Sequence, residues 1–291
     1  MTARILDGKA VAGAVLSELD SHVRRLDHAG IQVRLVYVSA GSSEAGEVYL
    51  RRLSSLARRH GIVVDAVILP ELVSVATLEN EIRALSDDDT VDGVLIESPL
   101  PEHLRDADVS RTLDPAKDVD GVTIENAGRL YAGRPAMVPS TAAAMMEILA
   151  HYEIEPTGKR AVVVGRSRIV GHPAAELLLH HHATVTVAHS RTRDLASVIS
   201  EAEILFAAVG RPRLITGDMI RPGAIIVDAG INVVDGQLTG DVDFASSVLT
   251  AEAITPVPGG VGPVTNAVLL RSLVRAAEAR RSNLAGSAVR E

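Results

Sequence analysis

The sequence predicts an α/β protein of two domains, each a parallel sheet wound on both faces by helices. Two observations predict it. Short runs of Val, Ile and Leu alternate with helical patterns along the 291 residues, and such runs separated by helices mark parallel strands covered on both sides. A proline-rich stretch at 98–139, with Pro99, Pro101, Pro115, Pro135 and Pro139, interrupts the alternation. A chain of this length is also ample for two cores.

The elements follow in order. Helical periodicity near 9–30 leads to an apolar strand, Val33–Ser39. A helix near 43–60, strand Val63–Leu69, a helix near 75–87 and strand Gly93–Ile96 complete the first unit, with Asp87-Asp-Asp89 as a helix-ending loop. The junction lies after the proline-rich stretch, with a helix near 141–152 as connector. The second unit holds strands Ala161–Val164, Thr184–Ala188, Ile204–Ala208 and Ala224–Asp228, and a helix near 169–182. Right-handed crossovers make both units doubly wound. The domains are therefore 1–140 and 141–281. The helix at 264–281 is expected to pack back on the first domain, and 282–291, small and polar, to form a flexible tail.

Composition excludes several function classes. A net charge of −8 lacks the basic footprint that nucleic acid needs. Aromatics are 2% with no Trp, which leaves no stacking platform for bases. With no Cys there are no disulfides, thiol nucleophiles or Cys-zinc sites. No apolar run is long enough for a membrane span, and the N-terminus has no apolar signal core, so a cytoplasmic location is expected. His180-His-His182 is read as a helix end whose adjacent rings point apart and suit the helix dipole, not as a metal site.

Chemistry first shows at Ala161-Val-Val-Val-Gly-Arg-Ser-Arg-Ile-Val-Gly-His-Pro173, a strand, a glycine turn and a helix start. Gly165 and Gly171 allow backbone to approach a pyrophosphate, and the helix offers free N–H groups and its positive end. The spacing is not G-x-G-x-x-G, so a purely structural turn stays an alternative. The next strand ends at Ala188-His-Ser-Arg-Thr192, the position beside an adenosine ribose. It has no acidic residue but has Ser190 and Arg191, with Arg166 in the preceding turn, which favours NADP over NAD. Asp228-Ala-Gly-Ile-Asn232 ends another strand, where ligand loops cluster. The second domain is thus expected to be Rossmann-like.

Several segments together resemble the methylenetetrahydrofolate dehydrogenase/cyclohydrolase family. They are Leu6-Asp-Gly-Lys9, Ser98-Pro-Leu-Pro101, Lys117-Asp-Val-Asp-Gly121 with Asn126-Ala-Gly-Arg-Leu130, Gly165-Arg-Ser-Arg-Ile-Val-Gly-His-Pro173, and Ile254-Thr-Pro-Val-Pro-Gly-Gly-Val-Gly-Pro263. Their order holds across nearly the whole chain. The resemblance implies oxidation of 5,10-methylenetetrahydrofolate by a nicotinamide cofactor, hydrolysis of the methenyl product in many members, a folate cleft between the domains, and a homodimer. It implies Tyr49, Glu97, Pro99, Leu100, Asp120, Pro258, Gly259, Gly260 and Thr265 at the folate, with loop Thr255–Gly262 closing over it. It implies Thr141, Gly165, Arg166, Ser167, Ile169 and Val170 at NADP, with His189, Ser190 and Arg191. Ala208, Val209, Gly210, Gly230 and Ile231 complete that set.

The sequence departs from the family in one place. Tyr49 matches the family's Tyr, but the Lys four residues on is Leu53, the usual Ser three residues before is Gly46, and the loop Gln is Glu97 followed by Ser98. Pro139-Ser-Thr-Ala142 replaces Pro-Cys-Thr-Pro. The family Lys handles the proton for water attack, which an aliphatic Leu53 cannot do. The expectation is an NADP-dependent dehydrogenase with weak or absent cyclohydrolase. Glu97 either stabilises the cation left by hydride loss, acts as a base toward water, or pairs with Arg51 or Arg52 as a salt bridge. A modified pterin substrate and a non-catalytic NADP-binding protein are the remaining alternatives.

Overall fold

The computed structural model describes residues 2–105 and 107–287, with side chains to Arg281. The chain begins with β1 (Arg4–Ile5), α1 (Gly8–His28), β2 (Arg34–Ala40), α2 (Glu44–Arg59), β3 (Val63–Leu69), α3 (Val75–Asp87) and β4 (Gly93–Ile96). Then come α4 (Val109–Thr112), α5 (Ile124–Tyr131), α6 (Ser140–His151), β5 (Arg160–Val164), α7 (Gly171–His180), β6 (Thr184–Ala188), α8 (Leu195–Ile199) and β7 (Ile204–Ala207). The last are β8 (Ile225–Asp228), β9 (Asn232–Val234), β10 (Gln237–Thr239), α9 (Phe244–Ser247), β11 (Ala253–Ile254) and α10 (Val261–Ser287).

Two compact units result. One comprises residues 15–138 and α10 from Leu269 onward. Its sheet has the order β3-β2-β4, all parallel. Period-two alternation splits β2 between two cores. Leu35 and Tyr37 join Leu53, Leu95 and Val119 under Leu269, Leu270, Leu273 and Val274 of α10. Val36 and Val38 join Leu78, Ile82, Val94 and Leu104 on the other face.

The stretch 98–139 is more regular than its prolines suggest. It holds α4 and α5, and α5 starts at an N-cap where Thr123 accepts from the Asn126 N–H. Lys117-Asp-Val-Asp-Gly121 explains itself physically. Lys117 is buried and donates to the carbonyls of Leu85 (3.1 Å) and Asp88 (2.7 Å), closing the C-terminal end of α3. Asp118 accepts from the N–H groups of Val122 (3.0 Å) and Thr123 (2.8 Å) and from Asn126 Nδ2 (2.9 Å). Asp92, fully buried, accepts from Arg34 N (3.0 Å) and pairs with Arg280 (3.6 Å) and Arg281 (3.2 Å) of α10.

The other unit comprises residues 2–14 and 139–268. The opening residues, expected in the first domain, therefore belong here. β1 is two residues long, too short for any periodicity, and pairs with β11. The six-stranded sheet has the order β1-β11-β8-β7-β5-β6, all parallel. Order reverses at β5, whose neighbours are β6 and β7. The C-terminal ends of β5 and β7 are therefore the switch point where open α/β sheets bind ligands. α10 begins in this unit and runs to Ser287. Of the expected flexible tail, 282–287 continue this helix and 288–291 lie outside the described residues.

Two buried aspartates shape the loops at the strand ends. Asp228 accepts from the N–H groups of Gly230 (2.8 Å), Asp241 (3.1 Å) and Val242 (2.9 Å). Asp241 accepts from those of Val209 (2.6 Å), Gly210 (3.0 Å) and Arg211 (2.8 Å) and from Asn232 Nδ2 (3.0 Å).

Removing the Asp92 carboxylate takes the buried charge partner from Arg280 and Arg281, which keep Asp89 and the Val91 carbonyl, and leaves the Arg34 N–H unpaired. Asp92→Ala should lower unfolding free energy by about 3–5 kcal/mol, read as a lower urea midpoint with unchanged slope; a loss under about 1 kcal/mol would refute the clasp. Asp228 gives a pH test. Burial pushes its pKa up to about 6, against the pull of three N–H groups and with Asp241 nearby. An unfolded Asp titrates near about 4. Between those values the native state holds the extra proton, so stability falls as pH rises from about 4 to about 6. Asp228→Asn should flatten that part of the Tm-against-pH curve; an unaltered slope would contradict the assignment.

Candidate active site

The dinucleotide unit supplies a glycine switch point. A Cβ on Gly165 would lie 2.2 Å from the Ala208 carbonyl oxygen, and one on Gly171 would lie 2.3 Å from the Gly165 oxygen. Gly165 also has φ +133. Only glycine lets the β5–α7 turn lie this close to the loop after β7. The start of α7 corrects one expectation: its first N–H groups are not free. Ser167 Oγ accepts from Val170 N (3.1 Å) and Gly171 N (3.3 Å), and Ser167 O accepts from His172 N (3.0 Å). Ser167 thus shapes the turn, and the exposed Arg166 and half-buried Ile169 and Val170 lie within it.

At the end of β6 the loop is tied to itself. His189 N donates to Thr192 Oγ1 (2.8 Å), and Arg191 N donates to His189 Nδ1 (3.1 Å). Ser190 and Arg191 are exposed, and no acidic side chain occupies 188–192. Ala208, Val209 and Gly210 follow β7, with the last two held by Asp241. Gly230 is buried behind Asp228, and Ile231 is exposed. Thr141 lies in the first turn of α6. A glycine turn at the switch point and a basic, acid-free β6 end fit a phosphorylated dinucleotide.

The same unit holds the loop before α10. Gly8 N donates to the Gly259 carbonyl (2.9 Å), and a Cβ on Gly8 would lie 1.7 Å from the Gly260 oxygen. Leu6-Asp-Gly-Lys9 therefore braces Thr255–Gly262, though the two are far apart in sequence. Pro258 is exposed, Gly259 has φ +107, and the Val257–Pro258 bond is cis. Thr265 turns its hydroxyl to the Val261 carbonyl (3.1 Å).

In the other unit, the altered positions meet around one carboxylate. α2 starts at Ser43, whose Oγ accepts from Gly46 N (3.0 Å) and donates to Glu97 Oε1 (3.1 Å). Glu97 follows β4 and is half-buried, so an anion sits on the first turn of α2, where the helix dipole favours it. Gly46 makes room: a Cβ there would lie 2.2 Å from Glu97 Oε1. Among the described residues Glu97 forms no ion pair with Arg51 or Arg52, both exposed on α2, so the salt-bridge alternative is overturned. Leu53 is fully buried in the core beneath α2. Tyr49 is half-buried, and its pKa is raised by burial first and by Asp120 second. Ser98–Pro99 is cis, with Leu100 half-buried after it.

Sequence reasoning missed three residues, Ser43 and Tyr37 in this unit and Asp241 in the other. Ser43 carried a readable signal, an N-cap residue before a helical pattern. Tyr37 lies inside an apolar strand run and looked like core. Asp241 acts across a loop that no local pattern reveals.

Comparison with known proteins matches the chain in two parts. Residues 6–120 match the family model described as tetrahydrofolate dehydrogenase/cyclohydrolase, catalytic domain, and residues 139–281 match its NAD(P)-binding domain. The bifunctional protein FolD of Chloroflexus aggregans is 49% identical over 285 residues, covering 96% of this chain and 99% of that protein. A crystal structure of the bifunctional FolD of Campylobacter jejuni has TM-score 0.93 at 37% identity, covering 96% of this chain and 99% of that one. The Trypanosoma brucei FolD, in complex with NADP and an inhibitor, has TM-score 0.91 at 35% identity, covering 97% and 99%. No helix among the described residues is long and apolar enough to cross a membrane. With both halves of the chain matched in order and its fold shared throughout, the protein belongs to the tetrahydrofolate dehydrogenase/cyclohydrolase family.

Proposed function

We propose that the protein oxidises 5,10-methylenetetrahydrofolate to 5,10-methenyltetrahydrofolate with NADP, and that the lysine-dependent route to hydrolysis is lost. The observation that carries the first part is the Gly165–Ala208 switch point, with Arg166, Ser190 and Arg191 in place of a ribose-binding acid. The observation that carries the second is Leu53, fully buried among apolar side chains at the position where the family resemblance expects a lysine.

NADP, when bound, supplies the hydride acceptor. The chain's own residues orient and stabilise. Tyr49 stacks on the pterin and Asp120 grips its polar edge. Glu97 faces the one-carbon group. Loss of hydride leaves a delocalised cation, and an oriented carboxylate favours that charge without reorganising. The α2 dipole and Ser43 keep the anion in one place. A homodimer in the cytoplasm, acting on small molecules without a nucleic-acid or membrane partner, completes this reading. The net charge of −8 supports its exclusion of nucleic acid.

A second reading is favoured by the same carboxylate. Oε1 accepts from Ser43 and Glu97 has no ion-pair partner among the described residues, so the group is available as a base toward water. Hydrolysis then persists by a lysine-independent route, in keeping with relatives named bifunctional.

The deciding assay supplies 5,10-methylenetetrahydrofolate and NADP⁺ and follows NADPH, methenyl and 10-formyl products separately. The lead reading expects NADPH one-for-one with accumulating methenyl product. Formyl product keeping pace with NADPH would replace it with the second reading. Glu97→Gln should lower dehydrogenase kcat by about tenfold, roughly 1.4 kcal/mol of transition-state stabilisation; an unchanged kcat would remove Glu97 from the oxidation step. Gly46→Ser puts back a side chain that collides with Glu97, so it should cost a similar factor. In a Glu97→Gln background Gly46→Ser should cost little more, and full additivity would argue that the two positions act separately.

A further inference from the structure

Tyr37 is the buried polar group for which the reading above has no use. It lies on β2, is 2% exposed, and shares the core that contains Leu53. Its hydroxyl is shut from water and makes no hydrogen bond among the described residues. Such a hydroxyl destabilises the fold relative to a satisfied one, and packing alone would be served by Phe. Buried unsatisfied groups in native proteins call for a reason, and function is a common one.

The surroundings supply the reason. The Tyr37 ring lies 6.4 Å from that of Tyr49, centroid to centroid, at 42°. The charged group acting on its hydroxyl is Glu97: burial first, and then this carboxylate, raise the Tyr37 pKa. Tyr37 pairs with Leu95 across β2 and β4, and Glu97, two residues past Leu95, continues the same face with its N–H on the Val38 carbonyl (2.8 Å), so the phenol is a donor on the side of the carboxylate. Glu97 in turn has Oε1 engaged by Ser43 at 3.1 Å, on the side that Gly46 leaves open.

We propose that Tyr37 is a positioning residue for Glu97: with folate in place its hydroxyl donates the second hydrogen bond to the carboxylate, opposite Ser43, and sets the direction in which the anion meets the reactive carbon. This rests on the reading that Glu97 faces the one-carbon group. Carboxylate, serine hydroxyl and buried phenol then form one unit, and Gly46 is the vacancy that admits it. A donor on each side also explains how a carboxylate is kept oriented without an arginine or lysine partner.

Tyr37→Phe removes the hydroxyl and keeps the ring. Dehydrogenase kcat should fall about tenfold, the worth of one hydrogen bond to a charged group, with KM for the folate nearly unchanged. The melting temperature should hold or rise, because an unsatisfied buried hydroxyl has gone. In a Glu97→Gln background the same substitution should change kcat less than twofold. A second readout needs no substrate. In protein carrying ¹³C at tyrosine Cζ, the Tyr37 resonance, assigned by its absence in Tyr37→Phe, should move on Glu97→Gln. An unmoved resonance, or a tenfold loss repeated in the Glu97→Gln background, overturns the proposal. A wild-type protein without dehydrogenase activity sinks the dehydrogenase reading instead, and the resonance still decides whether the pair exists.

Discussion

The fully buried carboxylate of Asp241 accepts the N–H groups of three successive residues, Val209, Gly210 and Arg211. The loop after β7 has no ladder partner for these groups, and burying them unpaired would cost more than burying the charge that collects them. Asp228 does the same for Gly230, Asp241 and Val242, and Asp118 for Val122 and Thr123. The loops after β7 and β8 and the turn before α5 are thus each held from within by a carboxylate. The glycines serve the same end from the other side, since Gly165 and Gly171 permit approaches that any Cβ would block.

The other unit holds a carboxylate in a comparable way. Leu53 of α2 lies in the core, and the Glu97 carboxylate sits at the start of the same helix. Positions 46 and 97 are in direct contact. A Cβ at position 46 would lie 2.2 Å from Glu97 Oε1, so a larger residue there makes the carboxylate shift from its place beside Ser43.

Much of this was legible in the residues. Apolar runs gave β2 through β8 to within a residue or two, because strands buried on both faces leave continuous Val, Ile and Leu. The long helices were equally plain from their period. The short pieces were not. β1 and β11 are two residues each, and their pairing joins the chain's opening to its later half. α5 was hidden in a segment whose prolines dominate its appearance.

The sequence by itself determined the family, the two parallel sheets and the dinucleotide turn, because these depend on local period, glycine placement and motif order. Only the tertiary structure decided which residues touch. It seated Glu97 on Ser43 over Gly46, put the Tyr37 ring beside that of Tyr49 in the core, buried Leu53, and turned Ser167 inward to hold the start of α7. Those contacts join strand to helix and loop to loop across tens of residues. Their energies come from burial and hydrogen-bond geometry, which no local pattern encodes.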